Sequence, residues 1–230
     1  MKKKIMLMIA VCAVFSSALA QNCDHFVYMT KGKIVKYSST NNKGKTAVKM
    51  NYEVVAKTGN KATVQSQIFD DKDKPISQAT IEMICEGNNL KLDMRNFMPN
   101  MASARMKDMT VKGDVSYLNY PAKMQKGQVL EDGIFNMEMY KGEQKMSTTS
   151  YKILNRTVQD MESVTTPAGT YDCYKITYNA EMKTTTFGIS MPFNMKVTEW
   201  YSAKLGLFVK SEAFDKKGKP TSTTMLDSIN

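Results

Sequence analysis

Apolar and polar residues alternate along most of the chain with a period of two, the pattern of strands that bury one face. Short turns such as Asn-Asn-Lys-Gly (41–44), Thr-Gly-Asn (58–60) and Glu-Gly-Asn (86–88) separate the alternating segments. At least ten short strands with regular turns favour an all-β fold, built as a curved antiparallel sheet or barrel. The predicted strands are Lys33–Ser38, Lys45–Lys57, Lys61–Phe69, Ile76–Cys85, Asn89–Met94, Val115–Tyr120, Gly133–Tyr140, Met146–Leu154, Thr157–Val164, Gly169–Met182, Asn194–Ser202, Leu207–Phe214 and Thr221–Leu226.

The segment Met94–Met109 interrupts this alternation. It contains five methionines and Phe97, and Pro99 breaks it, so we predict a short helical or irregular insert. Unbranched thioether side chains adapt to varied apolar partners. We therefore expect either a connector that fills the core or a mobile apolar cover over one opening of the sheet. The spacings Met98-x-x-Met101 and Met106-x-x-Met109 also suit Cu(I), which gives a third interpretation.

The N-terminus has the pattern of an export signal. Lys2–Lys4 precede an uncharged stretch, Ile5–Ala20, that ends in Ala-Leu-Ala. A basic region, an apolar region and an A-x-A site together predict cleavage after Ala20. Residues 1–20 are then a signal peptide and residues 21–230 form a single domain, periplasmic or secreted. An uncleaved anchor is one alternative; a lipid on Cys23 is another, which the preceding Asn22 disfavours.

Two segments of the chain resemble each other. Phe69–Pro75 and Phe214–Pro220 both join one alternating stretch to the next through Asp, Lys and Pro. Two tandem half-domains would explain this similarity. We favour the simpler interpretation that both are hairpins with the same turn chemistry.

The charge of the chain is basic but dispersed. Without the three signal lysines, 29 of the 32 basic residues remain against 22 acidic ones, a balance of +7. Arg95, Arg105 and Arg156 are the only arginines. Because nucleic-acid recognition favours arginine and clustered charge, we expect no nucleic-acid partner. A lysine-rich solvated surface is the main interpretation, and weak attraction to anionic envelope components is the alternative.

Three cysteines remain after signal removal, in a compartment that favours oxidation. Cys23, Cys85 and Cys173 permit three pairings. We predict a Cys23–Cys85 disulfide, which would fix the mature N-terminus to a strand, and a reduced, buried Cys173.

The sequence provides little for catalysis. His25 is the only histidine and lies near the mature N-terminus, where a precise site is unusual. The nucleotide-binding, metalloprotease, hydrolase and calcium-loop patterns are absent. Glu199 would have a raised pKa if buried beside Trp200, but no partner carboxylate is identifiable. We therefore predict neither an enzyme nor a cofactor, and no metal site.

The second half of the chain has a recognisable set of motifs. They are Tyr120-Pro121, Lys126-Gly127-Gln128, Leu130-Glu131-Asp132-Gly133, Asn155-Arg156-Thr157-Val158, Thr165-Thr166-Pro167-Ala168-Gly169-Thr170-Tyr171 with Cys173, Glu199-Trp200-Tyr201 and Gly206-Leu207. With them the chain from Cys23 onward resembles the TapB-like exported bacterial proteins. That resemblance implies a half-open antiparallel barrel similar to the lipoprotein carriers LolA and LolB, and it implies no catalytic residues.

These observations predict a non-enzymatic exported protein that binds an apolar or amphiphilic, lipid-like ligand in the concavity of its sheet. The residues expected to contact the ligand are Phe97, Met98, Met101, Met106, Met109 and Trp200. The alternative is a structural or interaction module of the cell envelope, with a packed interior and an envelope protein as partner.

Overall fold

The computed structural model describes residues 25–87, 89–97, 109–113 and 115–230. Within these ranges the regular structure is thirteen β-strands and two short 3-10 turns, at Val27–Met29 and Met94–Phe97. The predicted all-β class is therefore confirmed. The strands are β1 (Ile34–Asn41), β2 (Thr46–Thr58), β3 (Lys61–Asp70), β4 (Pro75–Glu86), β5 (Asn89–Asp93), β6 (Met109–Gly113), β7 (Tyr117–Tyr120), β8 (Gly133–Lys141), β9 (Gln144–Thr166), β10 (Gly169–Thr186), β11 (Ile189–Ser202), β12 (Leu207–Phe214) and β13 (Pro220–Ile229).

All thirteen strands form one antiparallel sheet in the order β6-β8-β9-β10-β11-β12-β13-β1-β2-β3-β4-β5-β7. The strands at its two edges, β6 and β7, follow each other in the chain, and three residues separate Gly113 from Tyr117. Three residues span at most about 14 Å between the flanking Cα atoms, so the sheet must curl until its edges approach each other. β6 and β7 are not paired among the described residues. The sheet is therefore curved and half-open, as predicted.

The turns lie at two ends of this curved sheet. One end, which we call the plugged end, includes the turn between β11 and β12. There the N-terminal residues Phe26–Met29 are buried, and the Val27 amide donates to the Leu205 carbonyl at 2.9 Å. The other end, which we call the hairpin end, includes turns 42–45, 71–74, 142–143, 187–188 and 215–219. The inner face of the sheet is the one that carries the buried core between these ends.

Strand β9 corrects one prediction. The sequence predicted separate strands Met146–Leu154 and Thr157–Val164, whereas one strand runs from Gln144 to Thr166. Asn155 has a φ of 57°, and the pairing with β10 shifts register there. Because Asn tolerates this left-handed conformation better than most residues, it forms a bulge inside the strand rather than a turn.

The similarity between Phe69–Pro75 and Phe214–Pro220 is shared turn chemistry, as predicted. In the first turn the Asp70 carboxylate accepts from the amides of the second and fourth residues after it, and Asp215 does the same in the second turn. Asn41 uses its side-chain oxygen in the same way in a third turn. The three turns lie at the hairpin end and present lysines at matching positions.

Two parts of the sheet were not predicted. Strand β6 begins at Met109, the last residue of the predicted insert, and continues to Gly113 through residues for which no strand was predicted. Strand β11 begins at Ile189, before the predicted Asn194. Pro192 lies in the part of β11 that was not predicted, and proline donates no hydrogen bond to a sheet. It is accommodated because residues 189–195 have no partner on β12.

Packing at the plugged end yields a stability prediction. Gly206 and Gly44 both have a φ of +71°, but a Cβ on Gly206 would lie 2.6 Å from Phe26 Cδ1, whereas nothing lies within 4 Å of one on Gly44. Gly206→Ala should therefore destabilise the protein by about 1–3 kcal/mol more than Gly44→Ala, because overpacking adds to the same backbone strain. Urea unfolding measures both variants. Equal losses would show that the N-terminal segment does not pack on Gly206.

Candidate binding site on the inner face

Inner-facing residues of β8, β9, β10 and β11 form three transverse rows near the hairpin end, which we call the inner rows. From the core outward they are Phe135, Tyr151, Met182 and Phe193; then Met137, Thr149, Thr184 and Met191; then Met139, Ser147, Thr186 and Ile189. The outer two rows place hydroxyls between apolar side chains, and Thr149 and Thr184 are hydrogen-bonded at 3.0 Å. This surface is apolar with a narrow polar centre, which suits an amphiphile better than a purely polar ligand.

A buried arginine lies toward the core from these rows. Arg156, on the inner face of β9, has no exposed surface. Its Nη1 donates to the carbonyl oxygens of Asn119 at 2.9 Å and Glu131 at 3.0 Å. Its guanidinium carbon lies 4.6 Å from the centre of the Tyr120 ring, in cation–π geometry. The Nε and Nη2 atoms have no hydrogen-bond partner among the described residues.

Glu199 is buried on the same face, on β11, with 2% of its surface exposed. The Tyr178 hydroxyl donates to its Oε2 at 3.4 Å, while Oε1 has no partner among the described residues. Burial raises the pKa of Glu199, and hydrogen bonding from Tyr120 and the charge of Arg156 act in the opposite direction. The raised pKa predicted for a buried Glu199 is therefore confirmed in direction.

Arg156, Glu199, Tyr120 and Tyr178 together form what we call the polar cluster. Burial raises the pKa of both tyrosines well above the usual value, so their hydroxyls stay protonated and remain donors. A buried polar atom without a partner costs about 1–3 kcal/mol, and more when charged. The spare donors of Arg156 and the spare acceptor of Glu199 therefore favour binding of a small polar or anionic group at this position.

Trp200 does not belong to this site. It pairs with Lys175 on β10 and Lys210 on β12, and it lies on the outer face because Glu199 and Tyr201 point inward. The ammonium groups of the two lysines lie 5.4 and 4.5 Å from its ring centre, and its indole N–H donates to Glu162. The predicted role of Trp200 in the ligand concavity is corrected accordingly: it is a covered outer-face residue.

The methionine-rich segment lies mostly outside the described residues. Met98, Met101 and Met106 fall there, and so do the candidate Cu(I) spacings. Phe97 ends the second 3-10 turn and Met109 begins β6, where it pairs with Lys141. The predicted ligand contacts of these five residues stay predictions.

The structure also places the cysteine that was predicted to stay reduced. Cys173 is a free, buried thiol, as predicted, and burial raises its pKa to about 12. Cys173 lies on the same outer face of β10 as Lys175, away from the polar cluster. Within the described ranges there is no group of three or more His, Cys, Asp and Glu residues that could hold a metal ion. None of the helical turns in these ranges has the length and apolar character needed to cross a membrane.

Sequence reasoning missed most of the polar cluster. Glu199 was singled out only for its neighbour Trp200, which lies on the other face. Arg156 was noticed only as a rare arginine and within a motif. The available signal was its position: an arginine in the middle of an alternating strand, in a chain whose cations are otherwise nearly all lysine, is a candidate for a buried role.

The two carboxylates near Trp200 should affect stability with opposite pH dependence. The raised pKa of Glu199 means that its contribution is present below the unfolded-state pKa and lost as pH rises through the folded-state pKa. Glu199→Gln should therefore gain stability relative to wild type as pH rises above the ordinary carboxylate range of about pH 4.

Glu162 is the matched control. Its hydrogen bond from Trp200 lowers its pKa, so its contribution is present at neutral pH and lost as pH falls. Glu162→Gln should therefore lose stability relative to wild type at neutral pH, and the difference should shrink in acid. Urea midpoints across the pH range test both variants, and parallel curves for the two would contradict the assigned environments.

Comparison with known proteins finds solved structures of similar fold. A solved structure of a candidate lipoprotein from Parabacteroides distasonis has a TM-score of 0.70 at 21% identity, covering 89% of this chain and 98% of that one. A candidate exported protein with a YmcC-like fold from Bacteroides fragilis has a TM-score of 0.68 at 21% identity, with the same coverage. No curated protein matches the sequence significantly.

A comparison of the sequence with protein-family models shows the family of the chain. A family model described as DUF3108-like matches residues 30–226, a range that begins just before β1 and ends within β13. The match therefore includes the polar cluster and all of the curved sheet except the last three residues of β13. The chain belongs to the DUF3108-like family.

Proposed function

We propose that this protein is exported, associates with the bacterial cell envelope, and binds an amphiphilic ligand on the inner face of its sheet without catalysing a reaction. The export-type N-terminus supports the location, as do the similar solved structures described as a candidate lipoprotein and a candidate exported protein. Binding without catalysis fits the polar cluster, which offers hydrogen-bonding groups but no nucleophile–base pair among its four members.

The observation that carries the binding proposal is the unmet hydrogen-bonding capacity of the polar cluster. Arg156 offers Nε and Nη2, and Glu199 offers Oε1. Along β10, two steps of the inner face lead from Tyr178 to Met182 in the first inner row. An anionic head group at Arg156 would therefore place an acyl chain along the apolar inner rows. A head group that accepts two hydrogen bonds would also relieve the desolvation of the guanidinium.

Native mass spectrometry of protein purified gently from its own envelope tests the proposal directly. We expect a chain that begins at Gln21 or its pyroglutamate form and carries an amphiphile that organic extraction removes. Extracted protein should take up a fluorescent fatty acid. A ligand-free chain that also takes up no probe would contradict the proposal.

Head-group preference should depend on Arg156. Dodecanoate should bind wild type about tenfold or more tightly than dodecyltrimethylammonium, because a buried guanidinium favours the anion. Arg156→Gln should abolish that preference, and Arg156→Lys should retain part of it. Competition against the fatty-acid probe measures the ratio, and circular dichroism confirms that the variants fold. An unchanged ratio in Arg156→Gln would place the head group elsewhere.

The acyl chain should depend on the inner rows. Met195, which pairs with Ala180, lies on the same face of β11 as Phe193 and one step nearer the polar cluster than the first inner row. Met182→Gln together with Met195→Gln should weaken dodecanoate binding several-fold, since it makes apolar contact surface polar. Met161→Gln is the control, because Met161 is 62% exposed near the far end of β9. Equal effects of the control and the double variant would mean that the inner rows do not contact the chain.

A packed interaction module is the second candidate. It is favoured by the plugged half of the interior, where aromatic residues such as Phe26, Tyr28 and Tyr37 join one continuous buried core. In that case, the spare groups of the polar cluster serve only the fold. Absence of ligand by mass spectrometry, with co-purification of one envelope protein at defined stoichiometry, would favour this second function.

The Cys23–Cys85 disulfide is part of the same proposal, because it would hold the buried N-terminal residues in place at the plugged end. Cys85 is fully buried and is not a free thiol, whereas Cys173 is; Cys23 lies outside the described residues. Non-reducing peptide mapping of the exported protein should link Cys23 to Cys85. Cys23→Ser should then lower the free energy of unfolding by about 2–4 kcal/mol. A linkage that includes Cys173 would disprove the pairing.

A further inference from the structure

The tip of the β10–β11 hairpin exposes a continuous apolar stripe. Phe187 is 71% exposed, Ile189 69%, Met191 58% and Phe193 50%. The last three alternate along β11, so they share one face, while Ser190 and Lys183 lie on the other. Exposed apolar side chains that form one contiguous stripe at a hairpin tip indicate an interaction surface rather than random surface composition.

The turn at the tip of the β10–β11 hairpin holds a bulky residue in a strained backbone conformation. Phe187 and Gly188 are the two turn residues, with φ values of 49° and 82°. This is the pattern of a tight hairpin turn whose first position normally holds Asn, Asp or Gly. The other described non-glycine residues with positive φ are Asp73 and Asn155, which tolerate that conformation. A bulky aromatic at such a position is disfavoured for folding, so its presence indicates a role in binding.

Lysines surround the stripe. In the sheet order the nearest turns at the hairpin end are 141–145 on one side and 215–219 and 41–45 on the other. These three turns contain seven lysines and two carboxylates. In two of them the first side chain accepts from the backbone amides of the lysines and so fixes the turn. An apolar tip within a basic rim is complementary to an anionic lipid surface.

Strand pairing with another protein is disfavoured at this tip. Residues 189–195 of β11 form an open edge, since pairing with β12 begins at Lys196. Pro192 lies in the middle of that edge and removes one backbone donor. Proline at an edge blocks the addition of a further strand. The apolar side chains, rather than the backbone of the edge, are therefore available for contact.

We propose that the tip Phe187–Phe193 docks the protein on an anionic lipid bilayer. Phe187 and Ile189 enter the interfacial region, and the lysines of the flanking turns contact lipid phosphates. The docking tip shares Ile189, Met191 and Phe193 with the inner rows, whereas Phe187 belongs to none of the rows. Arg156 takes no part in docking, so variants of Phe187 test docking separately from head-group binding at the polar cluster. Docking would, however, bring the hairpin end of the inner face against the membrane.

Co-sedimentation of the mature protein with vesicles tests the proposal. Vesicles of phosphatidylcholine with about a third phosphatidylglycerol should bind the protein, and pure phosphatidylcholine should bind it at least about fivefold more weakly, as expected for several lysines near the surface. Phe187→Asn should reduce binding about fivefold or more while raising the melting temperature, because Asn suits the turn. Val129→Asn, at a residue 73% exposed outside the hairpin, should leave binding unchanged.

A fluorescence measurement tests whether the tip itself enters the bilayer. The chain has one tryptophan, Trp200, which is covered by two lysines on the outer face. Its emission should not change with vesicles, whereas Phe187→Trp should add a component that shifts to the blue and is quenched by brominated lipid. Unchanged vesicle binding in Phe187→Asn, or an unquenched tip, overturns the proposal. A third outcome is that the protein binds no vesicles and that it self-associates only when Phe187 is present. The tip would then bind a second copy of the chain rather than a bilayer, which would overturn the proposal.

Discussion

The two edges of the sheet are tied together by one side chain. Arg156 lies on β9, third from the β6 edge, and donates to a backbone carbonyl of β7, the opposite edge. A backbone carbonyl at an edge strand needs a partner when the edge is buried, and the guanidinium provides it across the seam. Close packing reinforces the contact, since a Cβ on Gly133 of β8 would lie 2.7 Å from Leu118 of β7. This contact and the short connection between β6 and β7 together keep the two edges of the curved sheet close.

This way of joining the edges explains why charge is buried in an otherwise apolar core. Ordinary strand pairing would have completed a barrel without any ionised group inside. Here the guanidinium of Arg156 supplies part of the hydrogen bonding that pairing between the two edge strands would have made. The Tyr120 ring covers one face of this guanidinium, and Glu199 lies close enough to interact with it electrostatically. A guanidinium uses only one of its nitrogens to bridge the seam, so the remaining donors stay free. The binding capacity that we propose is thus a consequence of leaving the sheet open.

Sequence alone predicted the strands well, because period-two alternation and turns that contain Gly, Asn or Asp are local signals. It failed where local chemistry and tertiary structure disagree. The predicted strand ended at Leu154, just before Asn155, although pairing with β10 resumes at Thr157 and β9 continues to Thr166. Strand β11 was likewise predicted to begin only at Asn194, whereas it begins at Ile189. The polar cluster could not be predicted, since Arg156, Tyr120 and Glu199 are far apart in sequence and meet only when the edges do.

The two ends of the sheet differ in what their side chains contribute to folding. At the plugged end, Phe26 packs on a glycine and the N-terminal residues are buried, so local interactions and the fold agree. At the hairpin end, a phenylalanine occupies a left-handed turn position, apolar side chains face solvent, and a proline interrupts a strand edge. Natural sequences accept such local conflicts mainly where function requires them. We therefore infer that the plugged end contributes mainly to stability and the hairpin end to interaction. The polar cluster lies between the two ends.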